Sequence, residues 1–315
     1  MSINFMRRYM VERFEEKMME RFGERFLRSY PMAEYTSFKI GGPADFIVFP
    51  YTKEEIGFVL EEAKLANIPY LILGCGTNVL VKDGGIEGVV ISTKQALNSI
   101  EVYSDSERIY VSAECGVRLS TIVSAVSDAG GKGVECLCGI PGNMGGAIKT
   151  NAGTKEGSIS QFVKEIIVYD EKGREKVIPS GELNFSYRKL SIPKKWAILS
   201  AKLEFEKTSP ELTKERVKKI LEERMKTQPY DMPSAGCIFK NPRGTSAGKI
   251  IDELGLKGMR IRGARISPLH ANFIVNEGGA KAKDVLALID AIQKKVKEEM
   301  GISLEMEIEV IGREE

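Results

Sequence analysis

A chain of 315 residues, 43% hydrophobic and 29% charged, is long enough for two domains and apolar enough for packed cores, which excludes a disordered chain. Its net charge of +2 carries no long basic run, so nucleic acid is not implied as a partner. No apolar run approaches the roughly 20 residues that span a bilayer, so no membrane partner is expected. The five cysteines, Cys75, Cys115, Cys136, Cys138 and Cys237, are odd in number and scattered. That pattern reads as reduced thiols of a cytoplasmic protein rather than a disulfide framework. Cys136 and Cys138 have no second pair or nearby histidine to complete a zinc site, so no metal is expected.

The N-terminal stretch "MSINFMRRYMVERFEEKMMERFGERF" is charged throughout and lacks the apolar centre of a signal peptide. It reads as an amphipathic helical arm over residues 1–30. Mixed Glu and Arg argue against a membrane-surface helix. "TSFKIGGPADFIVFP" gives a turn and then a strand. Thr52 and Glu55 have capping-box spacing, and Ile56, Val59, Leu60 and Ala63 form one helical face. "YLILG" reads as a buried strand ending in a glycine loop.

Further strands are expected at 88–93, 108–114, 164–170 and 197–206, the last with Leu199, Ala201, Leu203 and Phe205 on one face. A helix from about Leu119 to Ala129 stops at Gly130-Gly131. Composition shifts near Lys207. Beyond it, Ser209 and Pro210 open a charged helix, and another helix is expected from about Ser246 to Leu254. "ANFIVN" reads as a strand. A long helix from about Ala282 to Met300 places Val285, Leu288, Ile289, Ile292 and Val296 on one face, with Gly301 as its stop. "SLEMEIEVIG" reads as a closing strand, and "PSAGCIFKNP" as neither helix nor strand. The domain reading is an arm at 1–30, a first domain at 31–207 made of two α+β subdomains, and a second at 208–315.

The glycines carry the chemical signal. Gly74 and Gly76 follow a strand and precede Thr77 and Asn78, and "GIPGNMGGAIKTNAG" is denser still. Such loops let main-chain N–H groups approach a diphosphate. The common fingerprints fail, however. "GCGTNV" has Val79 where a third glycine is needed, and "GTSAGKI" is one residue short of a P-loop.

The ordered set "TSFKIGGPADFIVFP", "GCGTNVLVKDGGIEGVVI", "GIPGNMGGAIKTNAG", "FSYRKL", "SAGCIFKNP", "AGKIIDELGLKG", "HANFIVN" and "LEMEIEVIG" resembles the UDP-N-acetylenolpyruvoylglucosamine reductases over roughly residues 36–312. The resemblance implies an α+β fold: a FAD-binding domain of the vanillyl-alcohol oxidase/p-cresol methylhydroxylase type, plus a smaller α+β substrate-binding domain. Only one charged helix lies between Arg188 and Cys237, which implies the shorter subfamily without the tyrosine-bearing loop insertion. The implied reaction is the NADPH-driven reduction of UDP-N-acetylglucosamine enolpyruvate to UDP-N-acetylmuramate in peptidoglycan and cell wall synthesis. FAD is the implied cofactor and NADPH the co-substrate.

By resemblance, Gly74, Cys75, Gly76, Thr77, Asn78, Gly139, Ile140, Pro141, Gly142, Gly145, Gly146 and Ala147 would bind FAD. Arg188 would hold the substrate carboxylate and stabilise the enolate, Cys237 would protonate C2, and Glu307 would be the acidic partner near C2. Period-2 alternation puts Glu305, Glu307 and Glu309 on one face and does not single out the middle one; the resemblance does. Tyr187, Lys240 and Asn241 would contact substrate. The family most often has serine where this chain has Cys237, and an ordinary thiol, with a pKa near 8.5, also holds its proton at pH 7. His270, the only histidine, precedes a core strand and reads as structural. Arg260, Arg262 and Arg265 fit either a solvated face or an anion-attracting approach. The chain is taken as a monomer. Two other readings stand beside this one: a different FAD oxidoreductase of the same flavin fold, and a non-catalytic nucleotide-sugar-binding flavoprotein.

Overall fold

The computed structural model describes residues 3–315, with side chains described from Met6 onward. Met1 and Ser2, the first residues of the expected arm, lie outside the described residues. The helices are, in chain order, α1 (Ile3–Phe22), α2 (Met32–Tyr35), α3 (Lys53–Leu65), α4 (Leu119–Ala129), α5 (Met144–Lys149), α6 (Pro210–Thr227), α7 (Ala247–Glu253) and α8 (Ala282–Met300). The chain divides into two compact units. One comprises Met1–Arg28, Phe46–Cys75 and Gly88–Leu221; the other comprises Ser29–Asp45, Gly76–Glu87 and Glu222–Glu315.

The first unit is organised around a five-stranded antiparallel sheet. Its order is Glu175–Pro179, Val163–Tyr169, Ala197–Glu206, Arg108–Glu114 and Ile100–Ser104. The long central strand alternates as its sequence predicts: Leu199, Ala201, Leu203 and Phe205 are buried. They join Ile122 and Val126 of α4 and Ala147 and Ile148 of α5 in one core. A second sheet has the order Phe26–Pro31, Pro43–Val48, Ile86–Ser92 and Tyr70–Leu73, its last two strands parallel. In α3, Thr52 accepts the Glu55 N–H, and Ile56, Val59, Leu60 and Ala63 are all buried. The Glu55 carboxylate does not close the capping box. It accepts the Tyr51 N–H and pairs bidentately with Arg25 at 2.7 and 2.8 Å.

The expected arm is helical only to Phe22; Phe26–Pro31 is a strand. The helical part is not free. Phe14, Met18 and Phe22, spaced by one turn, are buried in the same core as Ile56 and Leu60. Arg25, held by Glu55 and lying 4.3 Å over the Tyr51 ring, fixes the exit from the helix.

The second unit holds an antiparallel sheet ordered Ser234–Cys237, Phe273–Asn276, Ala264–Ile266 and Arg260–Ile261. All five α8 residues expected on one face are buried, and they pack with Ile238, Phe239, Ile250 and Ile274. At about 1.5–3 kcal/mol per buried aliphatic side chain, that face outweighs any cap, which contributes about 1 kcal/mol. The α8 cap itself comes from far away: Asp83 accepts the Ala282 and Lys283 N–H groups at 2.8 and 3.0 Å.

Two expectations need correction. "PSAGCIFKNP" contains a strand, Ser234–Cys237, whose register slips at a bulge where Gly236 takes φ +79°. "SLEMEIEVIG" is not one continuous strand. Met306 bridges Phe239, and only Glu309–Ile311 is a strand, paired in parallel with Val79–Val81. The segment changes partner midway, so the three glutamates share no single strand face.

Candidate active site

In the second unit, segments distant in sequence meet around Cys237. The Glu307 N–H donates to the Ile238 carbonyl and the Lys240 N–H to the Glu305 carbonyl, each at 2.8 Å. These bonds lay residues 305–307 alongside 238–240 and bring Glu307 to the end of the strand that carries Cys237. Asn78 of the first glycine loop joins them: its Nδ2 donates to the Glu307 carbonyl at 3.3 Å, and its own carbonyl accepts the Glu309 N–H at 3.0 Å. Ser37 completes the frame, donating through Oγ to the Ser234 carbonyl at 2.7 Å and through its N–H to the Gly76 carbonyl at 3.1 Å.

Cys237 is a half-buried thiol in no disulfide, and Glu307 is half-buried while Glu305 and Glu309 are exposed. Lys240 is partly exposed and pairs with Glu305 at 3.2 Å. The Asn241 Oδ1 accepts the Ala247 N–H at 3.0 Å, so this side chain already steadies the start of α7.

Sequence reasoning missed the residue that holds this backbone. Asn272 is 2% exposed. Its Oδ1 accepts the Phe239 N–H at 2.9 Å, its Nδ2 donates to the Phe239 carbonyl at 2.8 Å, and its own carbonyl accepts the Ile238 N–H at 2.8 Å. The available signal was a lone amide at the head of the apolar run "FIV". His270 lies beside it, its Nδ1 accepting the Asn272 N–H at 3.2 Å and its ring edge-on to Phe273. Burial, and then the charge of Lys257, hold the imidazole below its ordinary range. Arg260 and Arg265 both pair with Glu277, and Arg262 approaches Asp284 at 3.9 Å.

In the first unit, the expected cofactor residues split by role. Gly74 packs on Asn143: a Cβ on Gly74 would lie 2.4 Å from Asn143 Oδ1. That oxygen caps α5 by accepting the Gly146 N–H at 3.2 Å. Asn143 is 1% exposed, and its Nδ2 is buried with no hydrogen-bond partner among the described residues. The Met144 and Gly145 N–H groups go to the Val117 and Cys115 carbonyls, at 2.8 and 2.9 Å. Ala147 is in the core with its N–H on the Asn143 carbonyl. These N–H groups at the start of α5 are therefore spent internally, while Pro141 and Gly146 are exposed and Gly139, Ile140, Gly142 and Gly145 are half-buried. Burial pushes the Cys75 thiol up, while the cations Lys94 and Arg118 pull it back. Neither cation belongs to a recognisable motif. A surface glycine turn, an unspent buried amide donor on the Asn143 that packs against Gly74, and two cations near Cys75 fit a flavin nucleotide with its diphosphate.

Tyr187 and Arg188 form the tip of a two-residue hairpin closed by Ser186↔Lys189 and Phe185↔Leu190. Arg188 has φ +57°, an uncommon conformation for a bulky residue, and its guanidinium lies 5.0 Å over the Tyr187 ring.

A family model described as "UDP-N-acetylenolpyruvoylglucosamine reductase, C-terminal domain" matches residues 228–311, and one described as "FAD binding domain" matches residues 44–178. The UDP-N-acetylenolpyruvoylglucosamine reductase of Clostridium perfringens is 40% identical over 285 residues, covering 90% of this chain and 92% of that protein. This chain belongs to the UDP-N-acetylenolpyruvoylglucosamine reductase family. The reductase of Carboxydothermus hydrogenoformans is 38% identical over 305 residues, covering 95% of this chain and 98% of that protein. The crystal structure of the Thermus caldophilus reductase matches with a TM-score of 0.75 and 36% identity, covering 91% of this chain and 98% of that one. The α+β, FAD-binding fold expected from the sequence is thus the fold of the family.

Proposed function

We propose that the chain reduces UDP-N-acetylglucosamine enolpyruvate to UDP-N-acetylmuramate for peptidoglycan synthesis, with FAD as its cofactor and NADPH as co-substrate. The assignment of residues to this chemistry is carried by one observation: Cys237, Glu307 and Asn78, the last two 229 residues apart, share one backbone framework.

When bound, FAD supplies the hydride chemistry between NADPH and C3 of the enolpyruvyl ether. The backbone at Gly139 and Gly142 would approach the flavin nucleotide, and Lys94 and Arg118 would offset diphosphate charge. Arg188 takes the substrate carboxylate in its planar fork and stabilises the charge that develops as C3 is reduced. The Cys237 thiol then gives its proton to C2: the S–H bond breaks, the C2–H bond forms, and the thiolate regains a proton from solvent. Glu307 lies beside it as the acidic partner. Lys240 exchanges its exposed Glu305 contact, which contributes about 0–1 kcal/mol, for the substrate diphosphate. The Asn241 amide and the Tyr187 ring border the nucleotide and the reacting end. A cytoplasmic location and a monomeric state complete the proposal; free cysteines and nucleotide substrates support the location.

The test separates the half-reactions under anaerobic conditions. In Cys237→Ala, NADPH should bleach the flavin band at the wild-type rate, while substrate should restore it roughly 10²-fold more slowly or worse, the contribution expected of a general acid. Cys237→Ser should retain substantial turnover. Restoration at the wild-type rate in Cys237→Ala would assign the proton to another group.

A further inference from the structure

We propose that Asn151 is a positioning residue for Arg188, linking the glycine-rich segment to the hairpin that carries the guanidinium. Asn151 follows α5 and has φ +45°. Its N–H donates to the Ile148 carbonyl at 3.2 Å, and the Ala152 N–H donates to the Ala147 carbonyl at 2.8 Å. This pair of bonds is a Schellman stop, with Asn151 at the left-handed position. Glycine would meet that backbone requirement at lower steric cost. The side chain is therefore what the cap does not need.

That side chain is engaged at both ends. It is 7% exposed. Its Nδ2 donates to the Ser186 carbonyl at 2.9 Å, and its Oδ1 accepts the Ser160 N–H at 3.3 Å. Ser186 is the residue immediately before the Tyr187-Arg188 tip. The base of the hairpin is anchored by Leu190, which is buried in the core, and by Phe185, which packs against it, while Tyr187 at the tip is 51% exposed. Two backbone pairs and the Asn151 amide act beyond that anchor, next to an Arg188 held in an uncommon conformation. A run of covalent and hydrogen-bonded links thus leads from Asn143 through α5 and Asn151 to Ser186 and Arg188. The segment that frames the flavin side also sets the height of the arginine that meets the substrate carboxylate.

The inference rests on the reading of Arg188 given above, and the test keeps the two apart. Asn151→Gly retains the left-handed helix stop and deletes the side chain with both of its hydrogen bonds. In flavin-loaded enzyme, Asn151→Gly should lose some Tm, because a buried, bonded amide is removed, but keep its FAD affinity and its rate of flavin reduction by NADPH. The rate of reoxidation by saturating substrate should fall about five- to tenfold, the equivalent of one orienting hydrogen bond. Asn151→Asp, whose carboxylate faces the Ser186 carbonyl, should fall further. In an Arg188→Ala background, Asn151→Gly should add no further loss. Wild-type reoxidation in Asn151→Gly, or a loss of FAD affinity or of flavin reduction by NADPH in that variant, would overturn the proposal and leave Asn151 a structural residue. If Arg188→Ala itself reoxidises normally, the reading of Arg188 fails and the proposal falls with it.

Discussion

Replacing Gly74 by alanine tests its packing against Asn143, beside the first glycine loop. The new Cβ would lie 2.4 Å from Asn143 Oδ1 and 3.0 Å from its Cγ and Nδ2, closer than non-bonded atoms pack. Asn143 cannot swing aside freely, because it is buried and its Oδ1 caps α5 through Gly146. Displacing it removes an N-cap, about 1 kcal/mol. Overpacking adds about 1–3 kcal/mol, for a total of about 2–4 kcal/mol. At roughly 2–4 °C per kcal/mol for a domain of this size, Tm should drop by about 5–15 °C. FAD affinity should fall with it. Differential scanning fluorimetry and flavin titration read both. Asn143→Ala removes the obstacle, so Gly74→Ala in that background should cost about 1 kcal/mol or less, a large coupling for the pair. Additive losses in the double variant, or an unperturbed Gly74→Ala, would refute the contact as the reason for glycine.

Two further outcomes follow from the same geometry. Arg188→Gly relieves a left-handed arginine, so it should be as stable as wild type to within about 1 kcal/mol while losing substrate reduction; a destabilisation above about 2 kcal/mol would mark the side chain as structural. His270 has a folded pKa below its unfolded value near 6.5, so the unfolded chain takes up that proton first and stability declines as pH falls below about 6.5. His270→Asn should flatten that decline in denaturant titrations at pH 7.5 and 5.5, and an unchanged difference between the two would exclude His270 as its source.

Much of the fold was legible where local periodicity and core burial agree. The buried face of α8, the Thr52 cap of α3 and the alternation of Ala197–Glu206 are each written in a few neighbouring residues. What escaped depends on partners far along the chain. Val79–Val81 becomes a strand only because Glu309–Ile311 lies beside it, and α8 is capped by Asp83. "PSAGCIFKNP" hides its strand because the bulge at Gly236 breaks the alternation.

The site divides in the same way. Gly74 stands out in a dense glycine motif, whereas Arg188 and Cys237 stand out only through the resemblance. Asn143, Asn151 and Asn272 do not, since a buried amide acquires its meaning from the backbone groups that reach it. Lys240 and Asn241 were visible, but their engagement with Glu305 and Ala247 was not.

The most direct measurement is NADPH oxidation by the flavin-loaded protein, with and without UDP-N-acetylglucosamine enolpyruvate, followed by analysis of the product from a reaction run in deuterated water. Oxidation should depend on this substrate and yield one lactyl ether per NADPH, with solvent deuterium at C2 delivered through the Cys237 thiol. Oxidation of NADPH that is indifferent to the substrate, with no lactyl ether formed, would contradict it.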